Sequence, residues 1–386
     1  MPKLADRFRS FPPYPLADVP EIKRRLRAEG VDVIDLGAGD ADLAPPPAAL
    51  AALRDATADT ALSRYPFNLG LPSFREAVSS WMGKRFGVRL DPFKEVLPLI
   101  GSKEGIAHLA FAFVGPGDAT VIPDPGYQCY LGGTLLAGGE PHIVPLRPEN
   151  DFLIPLEDIP EEVARRTKIL YLNYPNNPTA AIAPRYYLEE AVRWCRERDA
   201  VLVSDNAYSE IAFDGYRPPS ILEIEGASDV AVEFHSFSKT YNMTGWRIGW
   251  AAGNAAIVGA LARVKTFVDT GAFLAVQAAA TAALASYEEW VPGNVEAFRE
   301  RRDALTSALC SEGFDARAPR ATMYLWVPVP ADTTSEAFAR RALVEQGVVV
   351  MPGSALGAGG EGFIRLALTQ PAERLREAAH RLGRLL

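Results

Sequence analysis

One lysine in this chain has neighbours that suit imine chemistry beside a bound phosphate. Lys239 is expected in the loop just after a predicted strand; it follows two serines, Ser236 and Ser238, and Arg247 lies a short distance further on. The hydroxyls can bind phosphate oxygens, and a guanidinium can do so through two parallel hydrogen bonds. A lysine close to such an anion site can act as an amine nucleophile and form a Schiff base with a carbonyl cofactor. A solvated lysine–arginine pair beside a turn is the alternative, and this segment alone leaves the choice open.

Other polar and aromatic residues follow segments that we predict to be strands. They are Ser102, Tyr127, Asn177, Asp205 and Tyr208. In open α/β sheets, ligands bind at the carboxyl ends of the strands. We therefore expect these side chains and Lys239 to lie along one rim of a sheet.

The same residues suit a single cofactor, pyridoxal phosphate. A carboxylate such as Asp205 can keep a pyridine nitrogen protonated, so that the ring acts as an electron sink. Asn177 and Tyr208 could hydrogen-bond the phenolate oxygen of the ring, and Tyr127 could stack on its face. Each residue also has a purely structural explanation: a helix cap for Asp205, a turn for Asn177 and core packing for the tyrosines. Their order on successive strand ends favours the cofactor.

The elements that must position these residues alternate between strand and helix. Strands are predicted at 95–100, 119–122, 142–145, 168–172, 200–204 and 229–234, and helices at 72–86, 104–114 and 185–198. This alternation predicts an α/β fold with a mostly parallel sheet and helices on both faces. The turn Gly101-Ser102-Lys103 between a strand and a helix is a candidate anion site, although it lacks the glycine spacing of a P-loop or dinucleotide motif.

The pattern of predicted helices and strands changes after residue 285. Charged helices, a strand that carries Arg365 and a terminal helix predict a smaller α+β domain at 286–386, to which residues 19–50 return. Residues 51–285 would form the large cofactor-binding domain, and residues 1–18 an N-terminal arm. These boundaries place Arg365 in a different domain from Lys239.

Composition and charge narrow the range of partners. The net charge of -8 gives no electrostatic reason to expect nucleic acid or an anionic membrane. Three widely spaced cysteines indicate a reducing compartment, and four scattered histidines show no metal-site spacing. The longest apolar segment, 271–285, is too short to span a bilayer and is predicted to be a buried helix. We expect a cytoplasmic protein without a metal, a nucleic-acid partner or a membrane partner.

Combined motifs resemble those of one known family. They are Asn177-Pro178-Thr179, Asp205-x-x-Tyr208, and Ser236-Phe237-Ser238-Lys239 with Arg247. These motifs are similar to the signature of the class I/II aminotransferases of pyridoxal-phosphate fold type I, and the likeness covers nearly the whole chain. The resemblance implies a large domain with a mostly parallel seven-stranded sheet and a smaller α+β domain. It also implies a homodimer whose active sites are shared between subunits.

The resemblance also assigns roles to individual residues. Lys239 would form the Schiff base and then move the α-proton of the substrate, with Asp205 and Tyr208 as the other catalytic residues. The phosphate would be held by Ser102, Lys103, Ser236, Ser238 and Arg247, and by Tyr65 from the other subunit. Asn177, Asp205, Tyr208 and Tyr127 would contact the cofactor ring.

The substrates implied by the resemblance are small α-amino acids and 2-oxo acids in a ping-pong transamination. Arg365 would bind the α-carboxylate, helped by Gly39 and Asn177, and Tyr14 would approach from the arm. The diaminopimelate-type enzymes of the family are the most similar, which implies diaminopimelate/tetrahydrodipicolinate with glutamate/2-oxoglutarate. Aspartate, alanine or another amino acid stays an alternative substrate, and a C–S lyase, racemase or decarboxylase reaction an alternative activity.

Three positions depart from the usual family pattern. Ala180 replaces a glycine, which leads us to expect a negative φ in that turn. Ala41 replaces a proline in a loop near the substrate, and 321–324 replaces a glycine-rich segment. The last two departures bear on the substrate rather than on the cofactor.

Overall fold

The computed structural model describes residues 2–11, 18–67 and 69–386. The helices are α1 (Val19–Ala28), α2 (Pro47–Ala58), α3 (Pro72–Phe86), α4 (Ser102–Phe113), α5 (Gln128–Ala137), α6 (Glu161–Arg166), α7 (Arg185–Arg198), α8 (Ala227–Val230), α9 (Phe237–Thr240), α10 (Ala255–Val268), α11 (Leu274–Ala285), α12 (Tyr287–Ser311), α13 (Ser335–Gln346) and α14 (Ala372–Gly383). The strands are β1 (Ile34–Asp35), β2 (Val96–Leu99), β3 (Ala119–Asp124), β4 (Glu140–Pro145), β5 (Thr167–Leu172), β6 (Val201–Asp205), β7 (Ala231–Ser236), β8 (Gly249–Gly253), β9 (Tyr324–Pro328), β10 (Val348–Val349), β11 (Met351–Pro352) and β12 (Phe363–Ala367).

A seven-stranded sheet forms the centre of the molecule, in the order β2-β8-β7-β6-β5-β3-β4. All strands run parallel except β8, which is antiparallel to both neighbours, β2 and β7. The predicted α/β class and the mostly parallel seven-stranded sheet are confirmed. Because the parallel strands share one direction, the ends of β2, β3, β5, β6 and β7 lie on the same rim.

Apolar side chains on both faces of the sheet explain why helices cover it on two sides. Strands β2 and β7 are buried along their whole length. One apolar cluster joins β5 and β6 to α7, and another joins the opposite face to α4 and α10. Strands of a parallel sheet are buried on both faces in this way. The rim is therefore a rigid platform for side chains that follow the strands.

The C-terminal part of the chain builds a second layer around its own apolar core. Strands β11, β12 and β9 form a three-stranded antiparallel sheet. Strand β1 pairs in parallel with β10, which brings the segment near residue 35 to the C-terminal part. The core of this part includes Ile34, Phe298, Leu325 and Leu375. The domain boundaries at residues 18, 50 and 285 stay a prediction.

Two local expectations were wrong. Lys239 lies in the one-turn helix α9, which begins directly after β7, and not in a loop. Ala180 has a φ of +59° instead of a negative φ. The tight turn sets this angle, because the Asn176 carbonyl accepts a hydrogen bond from the Ala180 N–H at 3.0 Å, and the Asn176 N–H donates to the Ala181 carbonyl at 2.8 Å.

Among the described residues, no helix combines the length and the apolar character needed to cross a bilayer.

Candidate active site

Lys239 reaches across the molecule to the loop that follows β1. Its Nζ donates a hydrogen bond to the carbonyl oxygen of Gly39. The side chain of Lys239 is half-buried, so its amine lies in a cleft between the sheet rim and the C-terminal part. The same loop is bound at two further points, because Arg365 donates to the Gly37 carbonyl at 2.8 Å and Arg301 binds both oxygens of Asp42.

Asp205 ends β6 and is buried in the floor of this cleft. Its Oδ2 accepts a hydrogen bond of 2.8 Å from the Tyr130 hydroxyl, whereas Oδ1 has no partner among the described residues. Burial raises the pKa of the Asp205 carboxyl to about 6, although the Tyr130 hydrogen bond, the charge of His235 and the Ala207 N–H lower it. A buried carboxylate oxygen without a partner favours a cationic or N–H donor group that the chain itself does not supply.

Arg365 lies on β12 and is buried in the opposite wall. One terminal nitrogen donates to Asn177 Oδ1 at 2.8 Å, and the other donates to the Gly37 carbonyl. Within the described part of the chain, its Nε is buried without a hydrogen-bond partner. The backbone N–H of Asn177 in turn donates to Asn173 Oδ1, and Asn173 Nδ2 donates to the Asp205 carbonyl. These hydrogen bonds connect Arg365 to Asp205 through Asn177 and Asn173.

Tyr208 lies three residues after Asp205, and its hydroxyl donates to the Tyr324 hydroxyl at 3.3 Å. Both phenols are buried. Burial raises the pKa of Tyr208 well above its usual range. Burial also opposes the ionisation of Tyr324, but the charges of Lys239 and Arg365 and the Tyr208 hydrogen bond outweigh it and lower the pKa of Tyr324.

A cradle for an anion forms where β2 turns into α4. A β-carbon on Gly101 would lie 2.5 Å from Nη2 of Arg247, so the guanidinium lies against the turn that precedes Ser102. The Arg247 Nη1 is oriented by the Thr244 carbonyl, which accepts its hydrogen bond at 2.8 Å. The first N–H groups of α4 and this guanidinium favour negative charge at the same place.

Three further predicted phosphate ligands lie at the end of β7, on α9 and at the start of α4. Ser236 caps α9, and its hydroxyl accepts a hydrogen bond of 3.1 Å from the Ser238 N–H. The Lys103 ammonium lies 5.4 Å from the centre of the Tyr127 ring. Tyr127 is half-buried, and burial raises the pKa of its hydroxyl. The Tyr127 ring thus lies next to Lys103 of α4.

Two predicted site residues are not brought to the cleft within this chain. The Tyr65 side chain is 71% exposed, and its ring lies 5.9 Å from that of Phe67. Tyr14 falls outside the described residues. Their predicted roles, like the roles of the other site residues, stay proposals.

The structure adds site residues that the sequence analysis did not single out. Tyr130 is one helical turn after Tyr127, a spacing that could have indicated a second aromatic residue facing the same site. Tyr324 was noted only as a departure from the family pattern, and nothing local in the sequence indicates that it meets Tyr208. Asn173 begins the segment that holds Asn177, and it joins two of the predicted residues.

A separate acidic cluster lies on α4 and α10. Ligand atoms of Glu104, His108 and Asp269 lie within 4.8 Å of one another. The Lys265 ammonium is fully buried there and donates to both carboxylates. Because this ammonium already supplies a positive charge to the two acids, we propose no metal at this position.

The mostly parallel seven-stranded sheet is the fold of the pyridoxal-phosphate-dependent aminotransferases of fold type I. The chain belongs to the family of class I and II aminotransferases, whose family model matches residues 31–382. It is 51% identical to the LL-diaminopimelate aminotransferase of Desulforudis audaxviator, over 98% of this chain and 96% of that protein.

Solved structures agree with this assignment. The substrate-bound BacF structure from Bacillus subtilis has a TM-score of 0.95 at 34% identity, covering 100% of this chain and 98% of that one. A probable N-succinyldiaminopimelate aminotransferase from Thermus thermophilus has a TM-score of 0.90 at 41% identity, covering 95% of this chain and 99% of that one.

Proposed function

We propose that this aminotransferase binds pyridoxal phosphate and moves the amino group between LL-diaminopimelate and 2-oxoglutarate in a ping-pong reaction. The observation that supports the proposal best is that two cationic side chains bind backbone carbonyls of the same loop. Arg365 donates to the Gly37 carbonyl, and Lys239 donates to the Gly39 carbonyl. A carboxylate binder and an amine are thereby close together, as recognition of an α-amino acid requires.

The residues present fit the cofactor. The partnerless Oδ1 of Asp205 suits a protonated pyridine nitrogen, and the cradle at Gly101 and Arg247 suits a phosphate. Tyr127 offers a ring face near both, because the charges of Asp205 and Arg247 both act on its hydroxyl. Ser102, Ser236 and Ser238 would complete the phosphate site with N–H and hydroxyl groups.

The bound cofactor supplies an electron sink for the electrons released when the α-proton leaves. Asp205 holds a negative charge in a buried position and thereby favours a protonated ring nitrogen. Lys239 provides an amine on the rim that can take up and return a proton. Asn177 and Tyr208 provide donors beside it, and Tyr208 keeps its proton because its pKa is raised.

Arg365 orients the substrate. Its guanidinium is fixed by Asn177 and Gly37, so little side-chain freedom is lost when a carboxylate binds. Two of the five N–H bonds of the guanidinium are used in this way, so three remain for that carboxylate, among them the buried Nε, which has no partner in the described chain. Tyr14 of the arm is proposed as an additional substrate contact.

We further propose a homodimer in which Tyr65 completes the phosphate site of the partner subunit. Exposed aromatic residues support it: Phe67 is 72% exposed and Phe267 is 84% exposed. The loop that carries Phe67 lies against α11, because Gln277 accepts a hydrogen bond from the Leu71 N–H at 2.8 Å, and Phe267 lies near the end of α10. An exposed aromatic surface of this kind is typical of a subunit interface. A cytoplasmic location is proposed because Cys310 is an exposed free thiol.

The test is a half-reaction followed by absorbance. The purified protein with pyridoxal phosphate should show a visible band that LL-diaminopimelate and glutamate convert to a near-ultraviolet band, and Lys239→Ala should lack this band. N-succinyl-LL-diaminopimelate is a second candidate, because the Thermus relative at 41% identity carries that activity in its name. Conversion by the succinylated compound but not by LL-diaminopimelate would replace the proposed substrate, and conversion only by aspartate or alanine would reject both. Release of ammonia and pyruvate would indicate a lyase.

A further inference from the structure

Tyr324 is a buried phenol at the start of β9, in the wall of the cleft that faces the sheet rim. Strand β9 pairs with β12, where Tyr324 is opposite Ala367 and Trp326 is opposite Arg365. The strand pairing therefore fixes the position of Tyr324 relative to the arginine. Its side chain extends from the C-terminal part of the chain towards residues held by the rim.

The hydroxyl of Tyr324 lies among groups that the proposed reaction uses. It accepts the hydrogen bond from the Tyr208 hydroxyl at 3.3 Å. A β-carbon on Gly39 would lie 1.9 Å from the same oxygen, so the phenol occupies the space that a side chain at residue 39 would need. Lys239 binds the carbonyl of that glycine. Tyr324 and Lys239 thus meet at one residue.

The ring of Tyr324 has a different neighbour. The guanidinium carbon of Arg365 lies 4.3 Å from the ring centre, within the range of a cation–π contact. Asn177 and Gly37 accept hydrogen bonds from the two terminal nitrogens of the arginine. The aromatic face therefore adds a third contact to the two hydrogen bonds that hold the guanidinium.

We propose that Tyr324 is a positioning residue of the transamination site, whose hydroxyl holds the Tyr208 phenol in place and whose ring face holds Arg365. The inference rests on the proposed function for its catalytic meaning. The hydroxyl of Tyr324 orients Tyr208 and its ring orients Arg365. A substitution that removes only the hydroxyl should therefore have a different effect from one that also removes the ring.

The direction of the hydrogen bond follows from the charges around the two phenols. Lys239 from α9 and Arg365 from β12 both lie close to Tyr324 and stabilise negative charge on its oxygen. Tyr208 is affected by the positive charge of Arg365 and the negative charge of Asp205, and burial raises its pKa and keeps it protonated. In the cofactor-free protein Tyr208 is therefore the donor and Tyr324 the acceptor, and the contact fixes the position of the Tyr208 oxygen within the cleft.

The first experiment compares Tyr324→Phe with Tyr324→Leu in steady-state kinetics, after thermal denaturation has shown that both variants fold. Tyr324→Phe keeps the ring and loses the hydroxyl that holds Tyr208, so kcat should fall about tenfold while KM for the amino acid stays within about twofold. Tyr324→Leu loses the ring as well, so its KM should rise about tenfold. A wild-type kcat in the Phe variant, or a wild-type KM in the Leu variant, would overturn the corresponding role.

The second experiment does not depend on turnover. The ultraviolet titration of tyrosinate in the cofactor-free, full-length protein should include one phenol whose pKa lies below the usual tyrosine value of 10.0. Tyr324→Phe should remove this component, and Tyr187→Phe, a buried phenol on α7, should retain it. A component that persists in Tyr324→Phe would reject the assignment. A protein that shows the component but no half-reaction would instead contradict the proposed function.

Discussion

The Tyr324 hydroxyl lies where a β-carbon on Gly39 would be, with 1.9 Å between the phenol oxygen and that position. Gly39 has no positive φ, so its lack of a side chain is required by space and not by backbone conformation. Gly39 therefore contacts both side chains. Its carbonyl oxygen accepts the hydrogen bond from Lys239, and its α-carbon lies against the Tyr324 hydroxyl.

Gly39→Ala should therefore reduce kcat/KM by about tenfold or more, because the new methyl group must displace the phenol or the loop. Adding Tyr324→Phe removes the oxygen but leaves the ring carbon 2.9 Å from the methyl position, so the double variant should recover only part of the loss. Kinetics of the two single variants and the double variant form a thermodynamic cycle. Fully additive losses would contradict a direct contact.

Asp205→Asn should change how the stability of the cofactor-free protein depends on pH. The Asp205 pKa is 3.8 in the unfolded chain and about 6 in the folded protein, so its stabilising contribution is present below pH 3.8 and is lost as pH rises through 6. The wild type should thus lose about 3 kcal/mol relative to Asp205→Asn between about pH 4 and 7. Urea unfolding at several pH values measures this difference. A constant difference would mean that Asp205 is not the titrating group.

Arg365→Lys should raise KM for both amino-acid and oxo-acid substrates by on the order of a hundredfold, because an ammonium cannot keep the Asn177 and Gly37 bonds and also bind a carboxylate bidentately. Steady-state kinetics with both substrate classes provide the measurement. Arg374→Lys is the matched control, because Arg374 is paired with Asp32 on the surface. Equal effects of the two substitutions would argue against Arg365 as the carboxylate ligand.

Mixing the cofactor-loaded variants Tyr65→Ala and Lys239→Ala should restore activity above the mean of the separate proteins. In a hybrid dimer, one site combines the intact Lys239 of one subunit with the intact Tyr65 of the other. About half of the dimers would be hybrids with one intact site each, so the mixture should reach about a quarter of wild-type activity. Activity equal to the mean after subunit exchange would show that Tyr65 serves its own subunit or none.

Ala180→Gly should raise the free energy of unfolding by about 1 kcal/mol, because glycine adopts the φ of +59° without the clash of a β-carbon. Ala181→Gly in the same turn should lower it by about 0.5 kcal/mol through the greater freedom of the unfolded chain. Denaturant unfolding of both variants supplies the comparison. A loss of stability in Ala180→Gly would mean that the methyl group contributes packing that exceeds the strain.

Local patterns in the sequence predicted most strands of the seven-stranded sheet and several of the helices around it. The bounds of α3 and α7 match the predicted helices, and the predicted strands overlap β2, β3, β4, β5, β6 and β7. These segments are recognisable because apolar runs and turn residues repeat at short range. The prediction of a negative φ at Ala180 was wrong, because the two backbone hydrogen bonds that close the turn outweigh the preference of alanine for negative φ.

The sequence by itself determined the strand–helix alternation and the order of Asn177, Asp205 and Lys239 along it, since each follows its own strand. Only the tertiary structure decided that Arg365 reaches Asn177, that Tyr324 meets Tyr208, and that Gly39 lies between Tyr324 and Lys239. Those contacts join residues more than a hundred positions apart. No local sequence pattern predicts these contacts. They form only when the segments of β1, β9 and β12 pack against the rim of the sheet, which leaves the chain one of its many possible conformations.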